Sequence, residues 1–542
     1  MFYHLRMQRI ILLLFFCASA AAIVPAKPER HVVVVVWDGM CPDFVTEQNT
    51  PTLWKLAQEG VTFRNHHAVY PSATNVNGTA MVTGVYPGRS GIIANYVYRP
   101  DIDSHHAVGI ELPPVVKKGD ELSGGKYIST PTIAELVQRS GARSVIASSK
   151  TVGLLLDRQL GVRREGRDLP SQEGKEPSTI GLKESVTLAA GLCLPDTALA
   201  PITEALGPFP TANLQKDSWT TKALIELLWK DRVPLFSILW LGQPDLTQHE
   251  TAPGAPAAIA AINSADKNLA AVLSALDEHK VRETTDVFVV SDHGFSTIKR
   301  SVDLPKILDQ AGFTAASKFD GEPKPGDIML VGNGGCVLFY ITGHDAAVTR
   351  RLVEFLQQSD FAGVIFTKQP IDGAFALEQA HIQNDRAPDV VMAFSWEASK
   401  NQFGVPGMID ADWQRPAGEG THATLSRLEM HNMLIAAGPD FKRGEKDALP
   451  SGNVDLAPTI LQILRIKSPQ KMDGRILSEA MTGPMPSQEP ETKTLETTKH
   501  FRSGAWRQSL QISRVGSTTY IDEGNGAFVA NEAAPNESQG NR

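Results

Sequence analysis

His31–Gly39 reads HVVVVVWDG, five consecutive valines and a tryptophan that close on an aspartate and a glycine. An unbroken β-branched run without polar alternation fits a strand buried on both faces, as at the centre of a parallel sheet covered by helices. In open α/β sheets, ligands bind just beyond the carboxyl ends of such strands, so Asp38 is placed to face a site. The pattern returns in LFSILWLGQPDLTQH (Leu235–His249) and TDVFVVSDHG (Thr285–Gly294), each an apolar run ending in Asp and His. Three strand ends delivering carboxylates and imidazoles to one sheet edge predict a metal site. The fold they imply is α/β, with a mostly parallel central sheet and helices on both faces.

Outward from the first strand, Thr50–Gly60 predicts a short helix with Pro51 in its first turn and Gly60 as its stop. The following stretch, VYPSATNVNGTAMVTGVYPGRSGIIAN, reads as a loop feeding a helix, with Thr74 near the helix N-terminus, where backbone N–H groups favour an anion. Tyr98–Lys126 shows no clear period and reads as a surface excursion. Thr130–Lys150 reads as a capped helix and a buried strand, Arg163–Glu184 as polar loop, and Ser264–His279 as an amphipathic helix leading into the strand before Asp292. Short strands flank the helical segment AAVTRRLVEFLQQS between about Val302 and Phe403. These readings divide the chain into a catalytic domain of residues 30–301 and 404–486, a small α+β cap insertion at 302–403, and a carboxyl-terminal extension at 487–542. That extension is expected to be partly disordered, with one hairpin around DEGNG, Asp522–Gly526.

At 542 residues the chain can bury a large core. Its net charge of −8 argues against a nucleic-acid platform or an anionic membrane surface as its main partner. A small anionic substrate must then be drawn in locally. The first 22 residues follow the pattern of a secretory signal: arginines, an apolar block at Ile10–Cys17 too short to span a bilayer, then small residues with cleavage after Ala20 or Ala22. A secreted or periplasmic protein without a stable membrane span is expected after its removal. Cys41, Cys193 and Cys336 then remain, enough for at most one disulfide and no thiolate zinc motif.

Asp245 and His249 are four apart, so one helical turn puts both on one face. Asp292 and His293 are adjacent at a strand end, with Gly294 supplying freedom for a tight turn, and His422 lies in the glycine-flanked loop GEGTHATL. With Asp38 these make six ligands, too many for one tetrahedral catalytic ion and suited to two, each with an open position. Two divalent ions about 4 Å apart form a clamp for phosphoryl transfer.

In order, WDGM (Trp37–Met40), PSATNVNG (Pro71–Gly78), GIIAN (Gly91–Asn95), PDLTQH (Pro244–His249), SDHG (Ser291–Gly294) and GTH (Gly420–His422) resemble the motifs of the alkaline phosphatase superfamily. Within it they are most similar to the type I phosphodiesterase/nucleotide pyrophosphatase group and its phosphonoacetate hydrolase relatives. The resemblance runs from about Val32 to Leu464 and implies two zinc ions. One would be held by Asp38, Asp292, His293 and the nucleophile Thr74, the other by Asp245, His249 and His422. Asn95 would donate to a non-bridging phosphoryl oxygen. Thr74 would attack phosphorus, giving a phospho-threonine that water releases; Ser72 is the rival nucleophile.

The resemblance ranks a phosphodiester or nucleotide-pyrophosphate substrate first. Asn75 stands where nucleotide pyrophosphatases usually carry an aromatic residue, which resembles the phosphonoacetate hydrolases. Those bind the substrate carboxylate with lysines; Lys150 matches one such position, but the other is Val152. A carboxylated phosphonate is therefore the second reading, and a non-catalytic metal-binding protein the third.

Overall fold

The computed structural model describes residues 29–157, 184–483 and 488–531. The expected signal segment, nearly all of the polar loop after Arg163, and the last eleven residues lie outside the described residues.

Among the described residues, nine strands make the main sheet. In chain order they are β1 (His31–Trp37), β2 (Val61–Phe63), β3 (Ser144–Ser148), β4 (Val186–Ala189), β5 (Leu192–Leu194), β6 (Phe236–Leu241), β7 (Thr285–Val290), β8 (Leu434–Ala437) and β9 (Glu445–Asp447). Across the sheet they run β9-β2-β8-β7-β1-β6-β3-β4-β5. The valine strand β1 lies in the middle, parallel to β7 and β6 on either side. Only β8 and β5 run against the rest.

The five valines explain why β1 occupies the centre. Side chains alternate along a strand, so a run with no polar residue has two faces to bury. Val33, Val35 and Trp37 pack with Leu53 and Leu56 of the helix Pro51–Glu59 and with Ile262 and Leu269 of the helix Pro256–Glu278. Val32, Val34 and Val36 turn the other way, onto Met81 and Val82 of the helix Thr74–Thr83 and Ile460 and Leu461 of the helix Leu456–Leu464. Burying each valine contributes about 2 kcal/mol relative to exposure.

Between Val302 and Phe403 the chain builds a six-stranded mixed sheet, with strands Ile328–Gly332, Cys336–Ile341, Val390–Phe394 and Ala362–Thr367 at its centre and the helix Ala346–Gln357 alongside. A four-stranded sheet joins this region to the rest, pairing Trp396–Lys400 and Pro406–Ala411 with Ser296–Ser301 and Gly420–Thr421.

Two expectations change. The stretch Tyr98–Lys126 contains the helix Pro113–Ser123, which buries Val115 and Val116 against Tyr127; two apolar residues are too few to show a period. The DEGNG segment is not a turn: it lies inside the strand Thr518–Ala530, part of a three-stranded antiparallel sheet with Glu491–Phe501 and Gly504–Val515. Its glycines serve close packing, since a Cβ at Gly524 would meet Leu510 at 3.0 Å and one at Gly526 would meet Trp506 at 2.8 Å. Cys41, Cys193 and Cys336 are buried and form no disulfide among the described residues.

Candidate active site

The expected residues converge at the carboxyl edge of β1, β6 and β7. Asp38 follows β1 directly, and the next residue, Gly39, turns the chain at φ +70°. A Cβ there would stand 3.0 Å from that of Asp245, so only glycine lets the two strand ends approach. Asp245 opens the helix Asp245–Thr251 and His249 lies one turn on, with Nε2 3.2 Å from Asp245 Oδ1. Asp292 and His293 follow β7. Gly294 has a different reason from the expected turn: a side chain there would strike the Leu428 carbonyl. His422 comes from the loop after Gly420–Thr421, its Nε2 3.6 Å from Asp245 Oδ1.

Two groups of ligand-bearing atoms result, Asp38/Asp292/His293 and Asp245/His293/His422, with the atoms of each group within 4.8 Å of one another and all residues buried. Thr74, the first residue of its helix, stands beside them: its Oγ1 is 3.5 Å from Asp38 Oδ1 and 3.4 Å from His293 Nε2. Asn95 accepts from the Asn75 backbone N–H through Oδ1 at 2.9 Å, which leaves its amide NH2 to donate.

The histidines are set to present lone pairs. Each uses Nδ1 on a backbone carbonyl: His249 on Gly420 (3.0 Å), His293 on Gly294 (2.8 Å) and His422 on Ser72 (2.8 Å). A carbonyl can only accept, so Nδ1 carries the proton and Nε2 faces the cluster, the tautomer that metal-binding histidines adopt. Burial pushes His293 down, and burial together with His293 and His249 pushes His422 well down, so both are neutral. Asp245 Oδ1 and Asp292 Oδ2 are buried and find no hydrogen-bond donor among the described residues. Carboxylate oxygens and imidazole lone pairs packed together repel one another unless a cation lies among them, so the residues present fit divalent metal.

Electrostatics agree. Burial, reinforced by Asp292 and Asp245 against Lys150 and His293, pushes the Asp38 carboxyl up to about 8; burial pushes Asp292 up to about 6. Asp245 stays well below the usual range because Lys150 and His249 outweigh its burial. The Lys150 ammonium is seated among the carboxylates, 2.9 Å from both Asp38 Oδ2 and Asp245 Oδ2 and 3.4 Å from Thr74 Oγ1.

Several positioning residues have no local sequence signal. The Trp240 indole N–H donates to Asp38 Oδ2 at 2.8 Å. Asp217 accepts from the Gly242 and Gln243 N–H groups and braces the approach to Asp245. Asn453 donates to the Asp292 carbonyl at 2.7 Å. Outside the cluster a cavity of about 240 Å³ opens, bordered by Asn95, Tyr96, Glu111, Lys150, Asn333 and Arg415. Asn333 accepts from the Tyr96 N–H and donates to its carbonyl, which ties the 302–403 region to this rim.

A mostly parallel α/β sheet that gathers carboxylates, imidazoles and one hydroxyl at its carboxyl edge is the arrangement of the alkaline phosphatase superfamily. Residues 32–401 match the family model described as type I phosphodiesterase / nucleotide pyrophosphatase, and the chain belongs to that family. Over 71 residues it is 32% identical to an ectonucleotide pyrophosphatase/phosphodiesterase of Caenorhabditis elegans, a match covering 13% of this chain and 10% of that protein. Among solved structures it resembles murine ectonucleotide pyrophosphatase/phosphodiesterase 5 in an inactive form with AMP (TM-score 0.56, 18% identity), covering 84% of this chain and 100% of that one. The human protein of the same name matches with TM-score 0.56 at 16% identity and the same coverage. At these identities the likeness is one of fold.

Proposed function

We propose that this chain is a zinc-dependent hydrolase that cleaves phosphodiester or nucleotide pyrophosphate bonds through a phospho-threonine on Thr74. The observation that carries this reading is the place of the Thr74 hydroxyl, within 3.5 Å of both Asp38 and His293 at the rim of a cavity open to small molecules. Asp38, Asp292, His293 and Thr74 would hold one zinc ion, and Asp245, His249 and His422 the other. Bound there, the ions would lower the pKa of the threonine hydroxyl, counter charge on the phosphoryl oxygens and stabilise the leaving oxygen.

The chain's own part follows from its geometry. Thr74 Oγ1 gives up its proton to solvent and forms the new bond to phosphorus, while the bond from phosphorus to the leaving alkoxide or phosphate breaks and the leaving oxygen takes a proton from solvent. The Asn95 amide donates to a non-bridging oxygen and holds the phosphoryl group in line. Water then attacks the phospho-threonine and restores the hydroxyl. A diester carries less charge than a monoester, which suits a site with an asparagine rather than an arginine clamp.

One observation favours a second substrate. Lys150 and Arg415 both border the cavity, and their cations suit a carboxylated phosphonate. The absence of a cation at Val152 ranks it below the diester.

Residues 302–403 act in this reading as a cap that closes the cavity through Asn333. The expected signal sequence supports a secreted or periplasmic location; among the described residues no helix is long and apolar enough to cross a membrane.

The deciding test is turnover of the zinc-loaded protein on bis-nitrophenyl phosphate, a nucleotide nitrophenyl ester and phosphonoacetate, side by side with Thr74→Ala. Diester or nucleotide-ester turnover by wild type, and its loss with metal retained in Thr74→Ala, support the reading. Diester turnover more than about tenfold below that of phosphonoacetate reverses the substrate order, and an inert wild type that holds zinc makes the chain a binding protein.

A further inference from the structure

A second cluster, sharing no residue with the first, lies where the carboxyl-terminal sheet meets the catalytic core. His67, His431 and Asp522 each offer one ligand atom, and these atoms lie within 4.8 Å of one another. His67 sits in the strand pair that joins His66–His67 to Ser451–Gly452, and Asp522 comes from the last strand.

Three features aim these side chains at one point. The Nδ1–H of His67 donates to the Ser451 carbonyl at 2.8 Å, so Nε2 faces Asp522, the same tautomer arrangement that the three catalytic histidines show. Asp522 is the extra residue of a β-bulge: Gln511 pairs with Glu523 and Ile512 with Ile521, which turns the carboxylate inward. The Ser513 hydroxyl orients that carboxylate, at 2.8 Å from Oδ2. His431 lies beside His67 with ring centroids 4.4 Å apart and the ring planes tilted by 60°. Tyr520, from the same strand as Asp522, stacks on His67, and a Cβ at Gly452 would stand 3.0 Å from its ring.

We propose that His67, His431 and Asp522 bind a divalent ion of the zinc class, which fastens the carboxyl-terminal sheet to the core. Two imidazoles and one carboxylate, with water in a fourth position, suit zinc by ligand type and number. His67 Nε2 and Asp522 Oδ1 stand 2.8 Å apart. A metal ion bound between them would send any proton shared there to solvent and set the two ligand atoms about 3.3 Å apart, as tetrahedral bonds of about 2.0 Å require.

The test is zinc content per chain after loading and removal of excess metal, compared among wild type, His431→Ala, His431→Gln and Asp245→Asn/His422→Ala. Loss of one equivalent in both His431 variants, with bis-nitrophenyl phosphate turnover within about twofold of wild type, supports the site. Retention of that equivalent by the Asp245/His422 variant separates it from the catalytic ions. A chelator should also lower the melting temperature of wild type more than that of His431→Gln. Equal zinc content in wild type and a folded His431→Gln overturns the proposal and leaves the cluster a plain ion pair.

Discussion

The imidazole of His422 is fixed by donating its Nδ1–H to the backbone carbonyl of Ser72, 2.8 Å away and 350 positions earlier in the chain. The Ser72 hydroxyl proton is shared between the Thr424 carbonyl at 2.9 Å and the Glu429 carboxyl at 3.1 Å, and Glu429 also accepts the Thr424 N–H and hydroxyl at 2.7 Å each. One buried carboxyl thus joins the segment that carries Thr74 to the loop that carries His422.

Glu429→Ala should therefore loosen both at once. It leaves buried donors without an acceptor, at about 1–3 kcal/mol each, and by misplacing His422 should lower kcat/KM by about 10–100-fold. Glu429→Gln, which keeps one carbonyl oxygen, should recover part of the loss. Kinetics and zinc affinity measured together check this; wild-type values for the alanine variant would mean that the two segments hold position without Glu429.

The same contacts separate the two candidate nucleophiles. Ser72 Oγ is occupied by Glu429 and by the Thr424 carbonyl at 2.9 Å, whereas Thr74 Oγ1 faces Asp38 and His293. Ser72→Ala should cost no more than about tenfold in kcat, and Thr74→Ala about 10³-fold or more. Acid-quenched turnover followed by peptide mass spectrometry should find phosphate on Thr74. Phosphate on Ser72 would reverse the assignment.

Lys150 stands where positive charge is most needed. Burial alone would push its ammonium down, but Asp245, Asp38 and Asp292 together outweigh this and hold it charged. Since it is 2.9 Å from two of the ligand carboxylates, it competes with metal for them. Lys150→Met should raise zinc affinity by about tenfold in chelator competition, and should destabilise the metal-free protein by about 3 kcal/mol by leaving buried carboxylates without their counter-charge. An unchanged affinity would show that the ammonium leaves the site at no cost.

The strand ends were legible because their signal is local: a valine run without alternation has one structural use, and an Asp or His directly after it has one direction to point. That reading located Asp38, Asp245, His249, Asp292 and His293 at a single sheet edge. The supporting contacts were not legible. Trp240 to Asp38, Glu429 to Ser72 and Asn453 to Asp292 join residues more than 150 positions apart, and no periodicity marks a side chain whose partner lies so far away. The DEGNG segment failed for a related reason, since a glycine admitting a neighbour at close range has the same letter as one making a turn. Gly294 shows that ambiguity inside the site itself.

His66 provides a measurable pH dependence. Its Nδ1 is 2.9 Å from Ser451 Oγ and its Nε2 3.0 Å from Asn453 Oδ1, and burial pushes it down to about 3. A histidine free in the unfolded chain titrates near 6.5, so between that value and about 3 the unfolded state binds the proton and the native state does not. The stability His66 contributes is therefore present above pH 6.5 and lost as pH falls. From pH 7 to pH 5 the loss should be about 2 kcal/mol. Raised carboxyls such as Asp217, pushed up to about 7 by burial, act in the opposite direction, so the total slope does not isolate His66. The difference between wild type and His66→Gln does, because glutamine keeps a donor and an acceptor but cannot titrate. Urea unfolding in chelator at both pH values should show the variant losing about 2 kcal/mol less than wild type on acidification; equal losses would mean that His66 is protonated in the folded protein.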